Sequence, residues 1–294
     1  MPGQLKEVRS RIKSVGNTQQ ITKAMKVVSA AKLRKAQDRI IQMRPYSNKL
    51  NEMLSNIAGG SEGASSVSFA VEREVKNVLL IVVTSDRGLC GGFNSNILKT
   101  AMRNISENYG SQMAAGNITV LPVGKKALEF FRRKNIKVMA EYSTLFTDLN
   151  FDNASKAAQW AMDNFEIKNF DKIEIVYSRF KNAATQLFTV EPFLPIAKPQ
   201  SNQSNKKVDL IFEPKKEEML IHLVPKILKT QFFKVLLDSN ASEHGARMTA
   251  MDKASDNANE ILRELKIKYN RARQAAITTE LTEIVSGAAA LSQG

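Results

Sequence analysis

The sequence predicts an α/β domain, Rossmann-like and with a mainly parallel sheet, inserted between two long helices that form an antiparallel coiled coil. Three observations predict this fold. Apolar residues recur at helical spacing along the first segment, the same spacing returns along the last segment, and strand and helix patterns alternate between them. The predicted domains are the N-terminal helix at residues 1–57, the central α/β domain at 58–224 and the C-terminal helix at 225–294.

The first segment carries a heptad seam, because its apolar residues lie three and four positions apart. The seam residues are Leu5, Val8, Ile12, Val15, Leu33, Ala36, Ile40, Met43, Ser47, Leu50, Leu54 and Ile57. Only Gly16 and Pro45 interrupt the pattern, and a proline inside a helix normally bends it, so we expect a bend near Arg44 rather than an end. At about 1.5 Å per residue such a helix extends roughly 80 Å, so it needs a second helix or a partner along its length.

The last segment repeats the helical pattern. Pro225 suits the first position of a helix, and no further proline follows it. The predicted stripe comprises Ile227, Gln231, Val235, Met251, Ala254, Ala258, Ile261, Leu265, Ala272 and Thr279. Because the two helices stand at opposite ends of the sequence, they are most simply joined as an antiparallel pair, with both chain termini at the end remote from the central domain.

The middle segment alternates strand and helix patterns, which is typical of a mainly parallel sheet with right-handed crossovers. A glycine- and serine-rich linker is expected at 59–66, and a polar loop at 199–207. The predicted strands are residues 78–85, 118–123, 137–141, 172–178 and 186–193, and the predicted helices are 96–109, 125–134 and 153–166.

The net charge of +14 is concentrated in the first helix, where residues 1–57 carry 12 Lys and Arg against 3 acidic residues. A basic arm of this kind indicates a polyanionic partner, which can be nucleic acid, an anionic membrane surface or an acidic protein face. The longest apolar run, Val78–Val83, is too short to span a bilayer, and a single cysteine excludes an internal disulfide and a zinc–cysteine cluster. The composition therefore disfavours secreted, membrane-spanning and zinc-dependent proteins.

A glycine-rich turn, SDRGLCGGFN at 85–94, follows the first predicted strand, where doubly wound folds bind phosphate. Its spacing fits neither the dinucleotide-binding pattern nor the P-loop, so a tight turn for close backbone packing is favoured over nucleotide binding. Cys90, His222 and His244 lack the spacing of a nucleophile–base pair or a metal site. We therefore expect no catalytic residues, no cofactor and no metal.

Two other classes of protein stay open at this point. One is an enzyme built on the Rossmann-like domain. The other is a basic coiled coil on DNA. Against it, the basic residues alternate with seam residues, and the arm lacks aromatic residues for stacking on bases apart from Tyr46. We therefore expect no nucleic-acid partner.

Four stretches of the sequence, in order, resemble the gamma-subunit family of F-type ATP synthases of the bacterial type. They are RSRIKSVGNTQQITKAMKVVSAAKLRKAQ (9–37), SDRGLCGGFN (85–94), ASEHGARMTAMDKASDNA (241–258) and ARQAAITTELTEIVSGAAAL (272–291). The resemblance covers essentially the whole chain. It departs from the plastid form, which carries a redox-active cysteine pair, since this chain has only Cys90.

The resemblance implies a non-catalytic rotor subunit of the proton-transporting ATP synthase. In that family the coiled coil stands inside three alpha and three beta subunits, and beta carries the catalytic sites. The α/β domain is a foot on the c-subunit ring of the membrane, beside the epsilon subunit. The resemblance, together with the absence of a convincing targeting segment, implies a peripheral position on the cytoplasmic face of a bacterial inner membrane, through the complex alone.

Residues matching the family's contact positions follow from the same resemblance. Met25, with neighbouring Lys23 and Lys26, matches a position near the acidic loop of beta. Polar positions that catch loops of the catalytic subunits are matched by Arg247, Arg273, Gln274, Thr278 and Glu280. Glu213 matches a foot residue facing the membrane ring. Two plainer interpretations stay open: Met25 filling the seam, and Arg247 pairing with Glu243 on its own helix.

We expect the charged shaft to face the surrounding ring through long-range, reorientable electrostatic interactions, because interlocked apolar packing would prevent rotation. The tip, residues 275–291, has no lysine or arginine and is rich in alanine, threonine and serine. It is expected to act as a low-friction bearing and to fray in the free subunit.

Overall fold

The computed structural model describes residues 2–58, 69, 71–183, 185–196 and 216–292. The chain forms two compact units: residues 1–29 with 248–294 (unit 1), and residues 30–247 (unit 2). The predicted linker at 59–66 and the predicted loop at 199–207 lie outside the described residues.

Two long helices open and close the chain, as the sequence predicts. Helix α1 spans Pro2–Ala58 and helix α6 spans Lys216–Ser292. Gly16 and Pro45 lie inside α1 without ending it. The bend expected near Arg44 stays a prediction. Neither of these helices, nor any other in the described part of the chain, is long and apolar enough to cross a membrane.

The start predicted for the last helix is wrong, because α6 begins at Lys216 and carries Pro225 in its interior. Proline removes one backbone hydrogen bond from a helix, and burial of an apolar face can offset that loss. Val224 and Leu228, one turn apart, are each 2% exposed and belong to a large apolar cluster of unit 2. Tertiary packing therefore keeps the chain helical on both sides of Pro225.

The middle of the chain folds into one five-stranded sheet within unit 2. Its strands are β1 (Val78–Val83), β2 (Ile118–Val123), β3 (Lys137–Val138), β4 (Lys172–Phe180) and β5 (Gln186–Leu194). The strand order is β3-β2-β1-β4-β5, and all neighbours are parallel except β4 and β5. The mainly parallel sheet is thus confirmed.

Four shorter helices complete unit 2: α2 (Phe93–Asn108), α3 (Gly110–Ala114), α4 (Lys125–Arg133) and α5 (Phe151–Glu166). Helix α2 begins earlier than predicted, directly after the glycines of the 85–94 turn. Helix α3, between the predicted helix at 96–109 and the predicted strand at 118–123, was not predicted. Strand β3 is shorter than predicted, because only Lys137 and Val138 pair with β2.

Strand β1 is the centre of the sheet and supplies both of its cores. All six of its residues are fully buried. Leu79, Ile81 and Val83 pack in a cluster that includes residues of α5 and α6, whereas the alternate residues face a cluster with α2 and α4. A continuous apolar strand is what a sheet covered on both faces requires.

Helix α6 runs along β4 in the same direction within unit 2. The ring of Phe232 lies 5.9 Å from that of Phe193, whose neighbour Leu194 pairs with Ile173 near the start of β4. Further along, the Ser178 and Ser242 hydroxyls are hydrogen-bonded at 2.6 Å. The amino-terminal edge of the sheet therefore lies beside the earlier part of α6, and the carboxyl edge beside residues 242–247.

Candidate partner-binding surface

The two helices of unit 1 pair along their length through side-chain hydrogen bonds. The Arg9 guanidinium donates to the Tyr269 hydroxyl at 3.2 Å, and Gln19 donates to Asn259. Lys26 forms an ion pair with Asp252. In these three pairs the residue numbers of α1 rise while those of α6 fall, so the two helices are antiparallel. This confirms the predicted coiled coil.

Small hydroxyl residues fill the middle of this seam. Thr22, Ser29 and Ser255 are 8%, 2% and 4% exposed. The Ser255 hydroxyl is 2.8 Å from both the Thr22 hydroxyl and the Met251 carbonyl, and Ser29 donates to the Met25 carbonyl at 2.7 Å. Every buried hydroxyl of the set is thus hydrogen-bonded, so close helix approach leaves none of them unsatisfied.

The predicted seam lacked these positions because no small or polar residue was counted between Val15 and Leu33. The signal was nevertheless present, since one column of the heptad steps by seven through Val8, Val15, Thr22, Ser29 and Ala36. The other column runs through Ile12, Gln19, Lys26 and Leu33. A count by heptad position, with small and polar residues allowed, would have found a continuous seam.

The stripe predicted on α6 is largely correct within unit 1. Met251, Ala258 and Leu265 are buried, as predicted. Ile261 is wrong, since it is 44% exposed. The two columns of α6 that face α1 step by seven, one through Met251, Ala258 and Leu265 and the other from Ser255 to Tyr269, and Ile261 belongs to neither.

The predicted contact residues of unit 1 lie mainly on its outer surface. Lys23 is exposed, Met25 is half-buried beside the seam, and the Lys26 side chain is 43% exposed within its ion pair. The exposed residues near the end of α6 are Arg273, Gln274, Thr278 and Glu280. None of these assignments is tested by the geometry of a lone chain, and they stay predictions.

Large apolar side chains are also exposed near the end of α6. Ile277, Leu281, Ile284 and Val285 are 47%, 57%, 67% and 66% exposed. They lie four, seven and eight positions from the first, so they share one face of the helix. Since Tyr269 already lies opposite Arg9, α6 extends past the start of α1. Among the described residues of α1, none therefore lies opposite the greater part of this stripe.

Arg247 has a different environment, inside unit 2, where it is 9% exposed. Its guanidinium donates to the carbonyls of Arg87 and Gly88 and to the Glu243 carboxylate. Burial raises the pKa of Glu243, against the opposite effect of its hydrogen bond from Arg247. The pairing on its own helix, which the sequence left open, is thus present, and it joins α6 to the 85–94 turn.

Besides its bonds to Arg247, the 85–94 turn has hydrogen bonds within itself. The Asn94 side-chain oxygen accepts from the Ser85 backbone N–H at 3.0 Å, and Ser85 donates to the Arg87 carbonyl at 2.6 Å. Cys90 is buried, with Asn94 donating to its sulfur at 3.3 Å. These contacts support the predicted role of the turn in close packing.

Two buried titratable groups of α6 were not singled out as sites. Burial raises the pKa of Asp238 to about 6, although the cations Lys234, Arg179 and Arg44 act in the opposite direction. Burial, with Lys32 and Arg247 nearby, lowers the pKa of His244 to about 4. No group of acidic, histidine or cysteine side chains among the described residues is suited to hold a metal. Glu213 lies outside the described residues.

The sequence is similar to one family throughout. A family model described as ATP synthase matches residues 4–291. The ATP synthase gamma chain of Cytophaga hutchinsonii is 53% identical over 290 residues, covering 98% of each chain. That of Flavobacterium psychrophilum is 50% identical over 287 residues, again covering 98% of each.

The fold is similar to chains in solved structures of mitochondrial ATP synthase. A chain of the Euglena gracilis enzyme matches 99% of this chain and 95% of its own length, with a TM-score of 0.68 and 19% identity. A chain from the Tetrahymena thermophila central stalk and c-ring covers 80% of this chain and 99% of its own, with a TM-score of 0.57 and 24% identity. At such identities the likeness concerns the fold.

Proposed function

The chain belongs to the ATP synthase family, among the gamma chains, and on that basis we propose that it is the central rotor shaft of the enzyme. In this role it couples proton-driven rotation of the membrane ring to ATP synthesis or hydrolysis at the catalytic beta subunits. The gamma chain is a subunit of the complex and not its catalytic subunit.

The partners follow from this role. The paired helices enter a head of three alpha and three beta subunits. The predicted central domain, residues 58–224, forms the foot on the c-subunit ring, beside the epsilon subunit, with Glu213 facing the ring. The chain then associates with the cytoplasmic face of the bacterial inner membrane as a peripheral component of the complex.

The observation that carries the proposal is the antiparallel pairing of α1 and α6 in unit 1. A shaft has to transmit torque, and two helices joined along a seam resist twisting and bending better than one. The polar pairs Arg9–Tyr269, Gln19–Asn259 and Lys26–Asp252 recur along this seam. Polar residues at such positions fix the register of a coiled coil, so one helix does not slide along the other under load.

The outer surface of unit 1 supports two kinds of contact with the head. Exposed cations such as Lys23 and Arg273 suit acidic loops of the beta subunits, where attraction acts over a Debye length of about 8 Å and survives rotation. The apolar stripe Ile277, Leu281, Ile284 and Val285 suits an apolar collar around the tip. A smooth apolar bearing has few directional bonds to break as the shaft turns.

In this proposal Arg247 stabilises the shaft through hydrogen bonds within its own chain. Its guanidinium already has three acceptors in unit 2, so a contact with a catalytic subunit has to share or displace one of them. Lys23 and Arg273 carry no such cost.

Rotation of the assembled complex tests the proposal. The chain, with a probe attached at a Ser106→Cys substitution on the exposed surface of α2, is combined with alpha and beta subunits on a surface. We expect the probe to rotate in one direction while ATP is hydrolysed. Hydrolysis by the assembled head with a stationary probe would contradict the rotor function.

A second measurement tests the electrostatic contact with the head. Neutralising Lys23, Lys26 and Arg273 together is expected to lower the torque, and unchanged torque would exclude the electrostatic contact.

A further inference from the structure

The amino-terminal edge of the sheet is the end of unit 2 opposite the point where α6 leaves it. Residues 242–247 of α6 lie beside the carboxyl edge, where Arg247 binds the 85–94 turn. The starts of β1, β2 and β4 lie at the other end. Two tight turns lead into this edge, one at Gly116 with φ of 72° and one at Asn135 with φ of 54°.

A depression of about 750 Å³ lies at this edge, between the Gly116 turn and the end of α4. Its charged lining comprises Arg132, Lys134 and Lys137, and no acidic residue belongs to the described lining. Ile118, Ile136 and Val138 supply apolar wall. The site thus combines three cations with an apolar surface.

Exposed apolar side chains flank the depression on the same edge. Met113, which is part of its lining, is 41% exposed, and Ile167, before the start of β4, is 67% exposed. Lys168 follows Ile167 at a turn with φ of 62°. Basic and apolar residues that alternate on an exposed edge are typical of surfaces that rest on membranes.

We propose that this edge binds the phosphate headgroups of anionic phospholipids at the membrane surface. Arg132 pairs with phosphate oxygens in its planar, two-pronged geometry, and Lys134 and Lys137 supply point charges. Met113 rests on the glycerol and upper acyl region. The contact would be with mobile headgroups near the foot, and in this respect the inference rests on the proposed function.

A phospholipid suits the site better than an acidic protein face. An acidic protein face would be bound by the cations alone, and Met113 and the apolar wall would then have no apolar group to contact. Free inorganic phosphate shares the headgroup's chemistry, but it too leaves the apolar part unused. The three occupants therefore differ in their dependence on Met113 and on a lipid surface.

Flotation with vesicles tests the inference on the full chain. Vesicles of phosphatidylcholine alone are compared with vesicles that also contain phosphatidylglycerol. At about 1 kcal/mol per basic residue near an anionic surface, the triple variant Arg132→Gln, Lys134→Gln, Lys137→Gln should lose about a hundredfold in partition. The matched control Lys99→Gln, Arg103→Gln, Lys156→Gln removes the same charge from exposed positions of α2 and α5 and should change partition far less.

Two further measurements complete the test. Met113→Ser should weaken partition several-fold at an ionic strength where the charges are screened. Equal losses of vesicle partition for the triple variant and its control would overturn the inference. So would a chain that binds inorganic phosphate at millimolar concentration but shows no preference for vesicles with phosphatidylglycerol. Assembly of each variant with alpha and beta subunits is measured in parallel, so loss of lipid binding with intact assembly is distinguished from failure of the rotor function.

Discussion

Lys26 and Asp252 form an ion pair across the two helices of unit 1, at a heptad position that a simple coiled coil fills with an apolar side chain. Their side chains are 43% and 49% exposed, so the pair is only partly removed from water. Such pairs contribute little to stability, about 0.2–1 kcal/mol, but they penalise a wrong register.

Charge reversal at this pair should destabilise unit 1. Lys26→Glu places two carboxylates opposite each other, and we expect the free energy of unfolding to fall by about 1 kcal/mol. Adding Asp252→Lys restores an opposite-charge pair and should recover most of the loss. The control is Lys23→Glu, on the exposed side of the same turn, with an effect within about 0.5 kcal/mol. A double variant no better than Lys26→Glu alone would contradict the pairing.

Replacing Asp238 by asparagine should stabilise the chain at neutral pH. Burial raises the pKa of this carboxyl from 3.8 to about 6 in the folded chain. The folded state therefore holds the proton more tightly than the unfolded state does. Stability is full below about pH 4, falls as the pH rises towards 6, and stays lower above it.

The expected gain for Asp238→Asn is thus about 2–3 kcal/mol at pH 7.5 and about 0.5 kcal/mol at pH 4, measured by denaturant unfolding. Asp256→Asn, at an exposed position of the same helix, is the matched control for the change of side chain and charge. A gain for Asp238→Asn that is equal at both pH values would exclude the carboxyl as its source.

The fold could be predicted from the sequence because its signals are local and periodic. The heptad seam needs only spacing, and the continuous apolar run of β1 needs only burial on both faces. Features decided by distant residues could not be predicted. Helix α6 extends upstream of Pro225 because Val224 and Leu228 join a core assembled from the rest of unit 2. The carbonyl groups that accept from Arg247 belong to the 85–94 turn, about 160 residues earlier in the sequence.

Substitution of Arg247 separates its role within the chain from a role in partner binding. Arg247→Met leaves the Glu243 carboxylate buried without its partner, and we expect a loss of about 3 kcal/mol in the isolated chain. Adding Glu243→Gln removes the buried charge and should recover part of it. Faster amide exchange at residues 88–90 is expected in both variants. An isolated chain unaffected by Arg247→Met would show that the arginine acts only through a partner.

Gly124 is fixed by both its conformation and its surroundings. Its φ is 109°, and a β-carbon at this position would lie 2.2 Å from the Thr84 carbonyl oxygen. Gly124→Ala should therefore cost about 3 kcal/mol or more, because backbone has to move. Gly110→Ala, where nothing lies within 4 Å of the added carbon, is the control and should be close to neutral. Thermal unfolding of the two variants measures the difference.

The tip of α6 should be stable only inside the head. Ile277, Leu281, Ile284 and Val285 are exposed on one face, and a single helix without packing is marginal in water. We expect amides of residues 275–291 to exchange rapidly in the free chain and to become protected on assembly with alpha and beta subunits. Leu281→Ser should weaken that protection without changing the unfolding of the free chain, whereas Ser286→Ala, at an exposed position on the same tip, should alter neither. Protection already complete in the free chain would mean that the apolar stripe needs no collar, and it would remove the argument for an apolar bearing at the end of the shaft.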